Sequence, residues 1–144
     1  MTQVKIKTIH TQEQVKYMTS WACAFDFRSS EDVTILPWEM KLIDTGTVIE
    51  TPEWFVLLTA PRSSTFKNYG LMQVNSVGII DQDYCWDTDT IKFPYMNMRK
   101  ESITIPAWER IWQWMFVKIE KPEFLFVEQM WNKERGGFWT TWNK

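Results

Sequence analysis

The sequence predicts an all-β sandwich or barrel with few short helices. Three observations lead there: β-branched and aromatic residues alternate with polar ones in several short runs, turn signals fall about every ten residues, and helical stretches are scarce. The first run is Val4-Lys5-Ile6-Lys7-Thr8-Ile9, apolar on one side and polar on the other. Residues 11–18 (TQEQVKYM) are the first helical candidate. Phe55 to Thr59 reads as a second strand, and the segment around 63–69 as a short helical turn. Thr90-Ile91-Lys92-Phe93, Ser102-Ile103-Thr104-Ile105 and Met115-Phe116-Val117-Lys118-Ile119 complete the set of clear strands.

The turns between them share an unusual grammar. Pro37-Trp38, Pro52-Glu53-Trp54 and Pro106-Ala107-Trp108 each put tryptophan one or two residues after proline. That is the slot where a type II turn needs positive φ, and therefore glycine. Composition repeats the oddity: 144 residues carry ten tryptophans but only five glycines, about 7% and 3.5%, where glycine usage is ordinarily near 7%.

Length and charge narrow the function. A 144-residue chain is one domain that can bury roughly 68–70% of its unfolded surface without disulfide or metal staples. A formal charge of −2 disfavours a nucleic-acid binder held by phosphate attraction. One histidine, His10, and two cysteines, Cys23 and Cys85, are too few for a disulfide framework or a Cys-rich zinc site. The opening residues lack the apolar core of a signal peptide, and no stretch nears the roughly 18 apolar residues of a membrane span, so a reducing cytoplasm is the expected compartment.

Several polar clusters carry chemistry. Arg62 with Ser63 and Ser64 offers a guanidinium fork, two hydroxyls and backbone N–H groups, a suitable phosphate clamp, although Arg-Ser-Ser alone also reads as a polar loop. Asp81 follows an apolar run and precedes Gln82-Asp83-Tyr84, which puts a carboxylate at the tip or edge of a hairpin, where it can deprotonate a water or simply serve the turn. Tyr84 can stack on a sugar or fill the core. Phe138, beside Gly136 and Gly137, suits a mobile tail closing over a planar base.

Five segments in order resemble the trimeric dUTPase family. They are Ala24-Phe25-Asp26-Phe27, Pro61-Arg62-Ser63-Ser64, Gly78 to Tyr84, Glu109-Arg110-Ile111-Trp112-Gln113, and Arg135-Gly136-Gly137-Phe138-Trp139-Thr140-Thr141-Trp142. The resemblance spans nearly the whole chain and implies a distorted jelly-roll or β-barrel. It implies a single β domain over residues 1–134 and a flexible C-terminal arm over 135–144. The implied reaction is hydrolysis of dUTP to dUMP and diphosphate by in-line water attack at the α-phosphate, with Asp81 as general base. Tyr84 would sit under the deoxyribose, and Asn75, Gly78, Ile79 and Ile80 would read uracil largely through the main chain. Arg62, Ser63, Ser64 and Gln113 would bind phosphates, while Arg135, Phe138, Thr140 and Thr141 would close over the nucleotide. Magnesium would ride on the triphosphate with no direct protein ligand, Asp26 helping to order its water shell, and Arg110 would pair with Asp83. A homotrimer with shared active sites, acting on dUTP without nucleic-acid or membrane partners, follows from the same resemblance.

The tryptophans are the departures from that pattern. Trp139, Trp142 and Trp86 stand at family glycines, and Trp38, Trp54 and Trp108 at the turn glycines. Trp21, Trp112, Trp114 and Trp131 fall where a small residue would be unremarkable. Glycine at all ten would make fifteen of 144, about 10%, ordinary for a turn-rich β domain. A gene that uses UGA for glycine, translated with UGA as tryptophan, would produce this substitution; a genuinely tryptophan-rich variant or a redesign is the alternative.

Other functions compete. A dCTP deaminase-like relative needs an acid/base residue at the pyrimidine, typically a glutamate soon after the third motif, and Asp87 to Phe93 contains none. A tryptophan stacking platform for sugars or single strands needs the rings on one face, whereas they scatter from 21 to 142. A catalytically inactive dUTPase-like regulator would have little reason to keep Arg62, Asp81, Tyr84 and Phe138.

Overall fold

In the computed structural model, residues 2–9 and 15–133 are described. The fold is a jelly-roll: eleven strands and one short helix among these residues, with every strand pairing antiparallel. In chain order the strands are β1 (Lys5–Thr8), β2 (Phe25–Arg28), β3 (Val33–Ile35), β4 (Met40–Asp44), β5 (Thr47–Glu50) and β6 (Phe55–Pro61). After the helix α1 (Thr65–Tyr69) come β7 (Leu71–Gln73), β8 (Gly78–Ile80), β9 (Lys92–Asn97), β10 (Ile103–Ile105) and β11 (Arg110–Lys118).

A four-stranded sheet, β2-β11-β6-β8, and a three-stranded sheet, β4-β9-β7, carry most of the core, with β1-β5 and β3-β10 as two-stranded additions. Alternation turns Phe25 and Phe27 of β2, Leu57 of β6, Phe93 and Tyr95 of β9 and Trp112 and Trp114 of β11 inward. Trp114 stacks on Phe27 at 3.7 Å between ring centroids and meets Phe93 edge-on at 5.5 Å. Burial pushes the Tyr95 hydroxyl well above the ordinary phenol range.

The clear strands of the sequence form with shifted ends. Alternation over Thr90–Phe93 continues as β9 only from Lys92; Ile91 instead cross-links the sheets, its N–H bonding Thr47 O at 2.9 Å and its carbonyl accepting from Thr45 N at 3.1 Å. The helical segment around 63–69 is α1, closed by Gly70 at φ 65°. Of the expected helix over 11–18, residues 11–14 lie outside the described residues, and 15–18 are not helical. Tyr17 there packs edge-on against Phe25 at 5.5 Å, so tertiary packing overrides local propensity.

Three tight turns orient the sheets. Glu39 N–H bonds Leu36 O at 3.0 Å, Phe55 N–H bonds Pro52 O at 3.1 Å, and Glu109 N–H bonds Pro106 O at 3.2 Å. The third residue of each is a tryptophan, with φ 61° at Trp38, 65° at Trp54 and 70° at Trp108. Buried Asn97 anchors the first turn: its carbonyl accepts from Trp38 N at 2.9 Å, and its side chain donates to Ile35 O at 3.0 Å and Glu101 O at 2.8 Å.

Candidate active site

The residues expected to clamp phosphate gather where β6 ends. β6 runs out at Pro61, and Arg62 follows with its N–H on Ile111 O at 3.1 Å. The Arg62 side chain lies across the sheet, with Nη1 on Arg110 O at 3.1 Å and Nε 3.2 Å from Asp26 Oδ1. Arg110 Nη1 holds the other oxygen of Asp26 at 3.1 Å. Gln113, opposite both Ala60 and Asp26, donates to Pro61 O at 3.2 Å. Ser63 is exposed, and Ser64 stands at the start of α1 with its side chain making no capping bond. Two guanidinium groups against one carboxylate leave this corner with a positive excess, as a polyphosphate requires.

That arrangement corrects one expectation. Arg110 pairs with Asp26 rather than Asp83, because β11 lies directly beside β2. Asp83 follows β8, which is separated from β11 by β6. Both Asp26 oxygens therefore face guanidinium groups.

The second cluster follows β8. Gly78 lies opposite Thr59, and a Cβ there would sit 2.3 Å from Thr59 Oγ1, so no side chain fits without a shift. After Ile80 the chain turns through Asp81–Tyr84, with Tyr84 N–H on Asp81 O at 3.3 Å. Gln82 pins this turn to the one before β6, donating to Pro52 O at 3.2 Å and Phe55 O at 2.9 Å. The Tyr84 hydroxyl donates to Thr90 O at 3.2 Å, which holds the ring as one wall of a groove. Leu42, Ile79, Ile80, Asp81, Ile91 and Lys92 line the rest of this groove of about 390 Å³. Asn75 is exposed in the turn between β7 and β8.

One chain does not bring the two clusters together. In the β6–β8 ladder Leu57 faces Ile80, so Asp81 falls beside Val56, six residues before Arg62. At strand rise that is about 20 Å, more than a triphosphate spans. Arg135, Phe138, Thr140 and Thr141 lie outside the described residues.

Some contributors escaped the sequence reading. Leu42 and Lys92 line the groove from β4 and β9, and Gln82 with Lys121 bonds across the hairpin base. Lys92 was legible as the outward member of an alternating run, yet its position opposite Asp44 depends on strand register. Nothing in the sequence marks Gln82 as the residue that ties two turns together.

The family model for dUTPase matches residues 11–141. The chain belongs to the dUTPase family. It is similar to the SPbeta prophage-derived deoxyuridine 5'-triphosphate nucleotidohydrolase YosS of Bacillus subtilis (strain 168), 36% identical over 146 residues that cover 99% of each. The deoxyuridine 5'-triphosphate nucleotidohydrolase of Finegoldia magna is 36% identical over 141 residues, covering 94% of this chain and 96% of that one. Among solved structures, the dUTPase from Streptococcus mutans aligns with TM-score 0.77 at 28% identity, over 84% of this chain and 98% of that one. A dUTPase of phage 80alpha shares the fold at TM-score 0.81 and 20% identity, over 96% and 98% of the two chains.

As a member of this family the chain is a hydrolase of dUTP, releasing dUMP and diphosphate. dUTPases work with a divalent cation, and the described residues offer no group of three or more His, Cys, Asp or Glu to hold one. Both oxygens of Asp26 are engaged by arginines. No helix among the described residues is long and apolar enough to cross a membrane.

Proposed function

We propose that this dUTPase cleaves dUTP by in-line attack of water on the α-phosphorus, with Asp81 as the general base. One contrast carries the reading. Asp26 is committed to Arg62 and Arg110, whereas the Asp81 side chain has no ion-pair partner among the described residues and stands exposed on the rim of the Tyr84 groove. An uncommitted carboxylate at a substrate groove can accept the proton of an attacking water. The bond from water oxygen to the α-phosphorus forms as the bond from that phosphorus to its bridging oxygen breaks, and diphosphate leaves.

The leaving charge falls to Arg62, Ser63, Ser64 and Gln113 at the positive corner; a Mg²⁺ ion bound on the triphosphate would neutralise part of it. Tyr84, fixed by its bond to Thr90, excludes a 2′-hydroxyl under the sugar. β8 is the edge strand of its sheet, so one side of its main chain has no strand partner and can pair with uracil at Gly78, Ile79 and Ile80, with Asn75 in the turn just before it. Residues 135–144 act as the closing arm, with Arg135, Thr140 and Thr141 on phosphate and Phe138 over the base. The setting is cytoplasmic.

The separation of about 20 Å along β6 supports sites that draw Arg62 from one chain and Asp81 from another, in a homotrimer of the kind the family resemblance implies. Complementation tests both readings. Asp81→Asn and Arg62→Ala homo-oligomers are each expected to lose dUTP turnover. A co-refolded equal mixture regains about one quarter of normal activity, the share of sites that random assembly leaves intact. No recovery above the parents would overturn the shared site, and near-normal turnover in Asp81→Asn would remove that residue from the chemistry.

A further inference from the structure

Positive φ is uncommon outside glycine and rarest for bulky side chains. Among the described residues five non-glycine positions adopt it, and four of them are tryptophans: Trp38 at 61°, Trp54 at 65°, Trp108 at 70° and Trp131 at 53°. The two glycines with positive φ, Gly46 at 60° and Gly70 at 65°, sit in the same narrow window. Eight tryptophans are described, so half of them occupy glycine's conformation. At a few per cent per residue, four of eight by chance is on the order of one in ten thousand.

The surrounding fold dictates these conformations. Trp108 is stitched on both sides, its N–H on Ser29 O at 2.8 Å and its carbonyl accepting from Arg28 Nη1 at 2.7 Å, while Asp32 holds Ala107 N at 2.6 Å. Trp54 O accepts from Ile119 N at 2.9 Å, and Trp38 N binds Asn97 O at 2.9 Å. Burial does not account for the strain: Trp38, Trp54 and Trp131 are between 50% and 87% exposed. The buried pair presents a different misfit. Trp112 and Trp114 are fully buried with indole N–H groups lacking a partner, although a buried indole N–H usually finds one.

From these observations we infer that the protein its source makes carries glycine at positions 38, 54, 108 and 131, its gene reading UGA as glycine. Drift supplies no mechanism by which one residue type collects at glycine conformations along the whole chain, whereas a single codon assignment does so in one step. The inference concerns the chain's covalent identity and stands apart from the catalytic roles of Asp81 and Arg62.

Three measurements test it. The gene is expected to carry UGA at codons 38, 54, 108 and 131, and UGG at these four would overturn the inference. Tandem mass spectra of the protein isolated from its source should read glycine at 38, 54 and 108; tryptophan there would overturn it even with UGA in the gene. The triple variant Trp38→Gly, Trp54→Gly, Trp108→Gly should melt higher than the chain as written, by about 3 °C for each site relieved. An unchanged or lower melting midpoint would show that the fold does not ask for glycine there.

Discussion

Asp26 is held between Arg62 and Arg110, 3.2 Å from the first and 3.1 Å from the second, one carboxylate oxygen to each. All three side chains are largely covered, so the cluster is screened less than a surface pair. It aims Arg62 rather than neutralising it, since one of two positive charges stays uncompensated. Asp26→Asn is expected to cost about 1–2 kcal/mol of stability. It should raise KM for dUTP several-fold and lower kcat much less, because the guanidinium remains but loses its orientation. Denaturant unfolding and steady-state kinetics check the two parts separately; a loss confined to kcat would give Asp26 a different role.

Tyr84 keeps its ring against the groove by one hydrogen bond, from its hydroxyl to Thr90 O. Tyr84→Ala should therefore narrow the preference for dUTP over UTP by tenfold or more, about 1.4 kcal/mol. Tyr84→Phe should keep most of that preference, since the ring does the excluding. The ratio of kcat/KM for the two nucleotides is the measurement, and an unchanged ratio in Tyr84→Ala would assign sugar selection elsewhere.

Gly78 and Thr59 face each other across β6 and β8 with no room for a methyl group between them. Gly78→Ala should destabilise the fold by about 1–3 kcal/mol. Thr59→Ala removes the clashing hydroxyl and leaves only ordinary contact from that side, so the double variant should recover part of the loss. A double-mutant cycle by denaturant unfolding reads the coupling. Strict additivity would mean that the hairpin moves as a unit instead of clashing at this pair.

The Tyr95 hydroxyl is raised by burial, which ties stability to the neutral phenol. A group whose folded pKa lies above its unfolded value contributes stability in full below the unfolded value, near 10, and loses it as pH climbs beyond. The chain should thus lose stability above about pH 10 more steeply than Tyr95→Phe does. Urea midpoints for both proteins at neutral and alkaline pH give the difference. Parallel curves would mean that Tyr95 ionises without unfolding cost.

Turns and motif groupings, which depend on close neighbours along the chain, were legible in the sequence, whereas local propensity misjudged residues 15–18. The proline–tryptophan turns were legible because φ at the third position of such a turn is a local matter, and 61°, 65° and 70° are found there. The motif groupings were legible for the same reason: Arg62 with two serines, and Asp81 ahead of Tyr84, are neighbours along the chain. Strands such as β3 and β7, three residues each, carry too little alternation to be seen before their partners are known. That Arg110 meets Asp26, and that Gln82 ties the Asp81 turn to Pro52 and Phe55, emerged from the folded arrangement of the strands. It also decided that Arg62 and Asp81 fall at opposite ends of β6. Those facts follow from strand order and ladder register, which are set by hydrogen bonds and packing between segments far apart in sequence, and no local pattern encodes them.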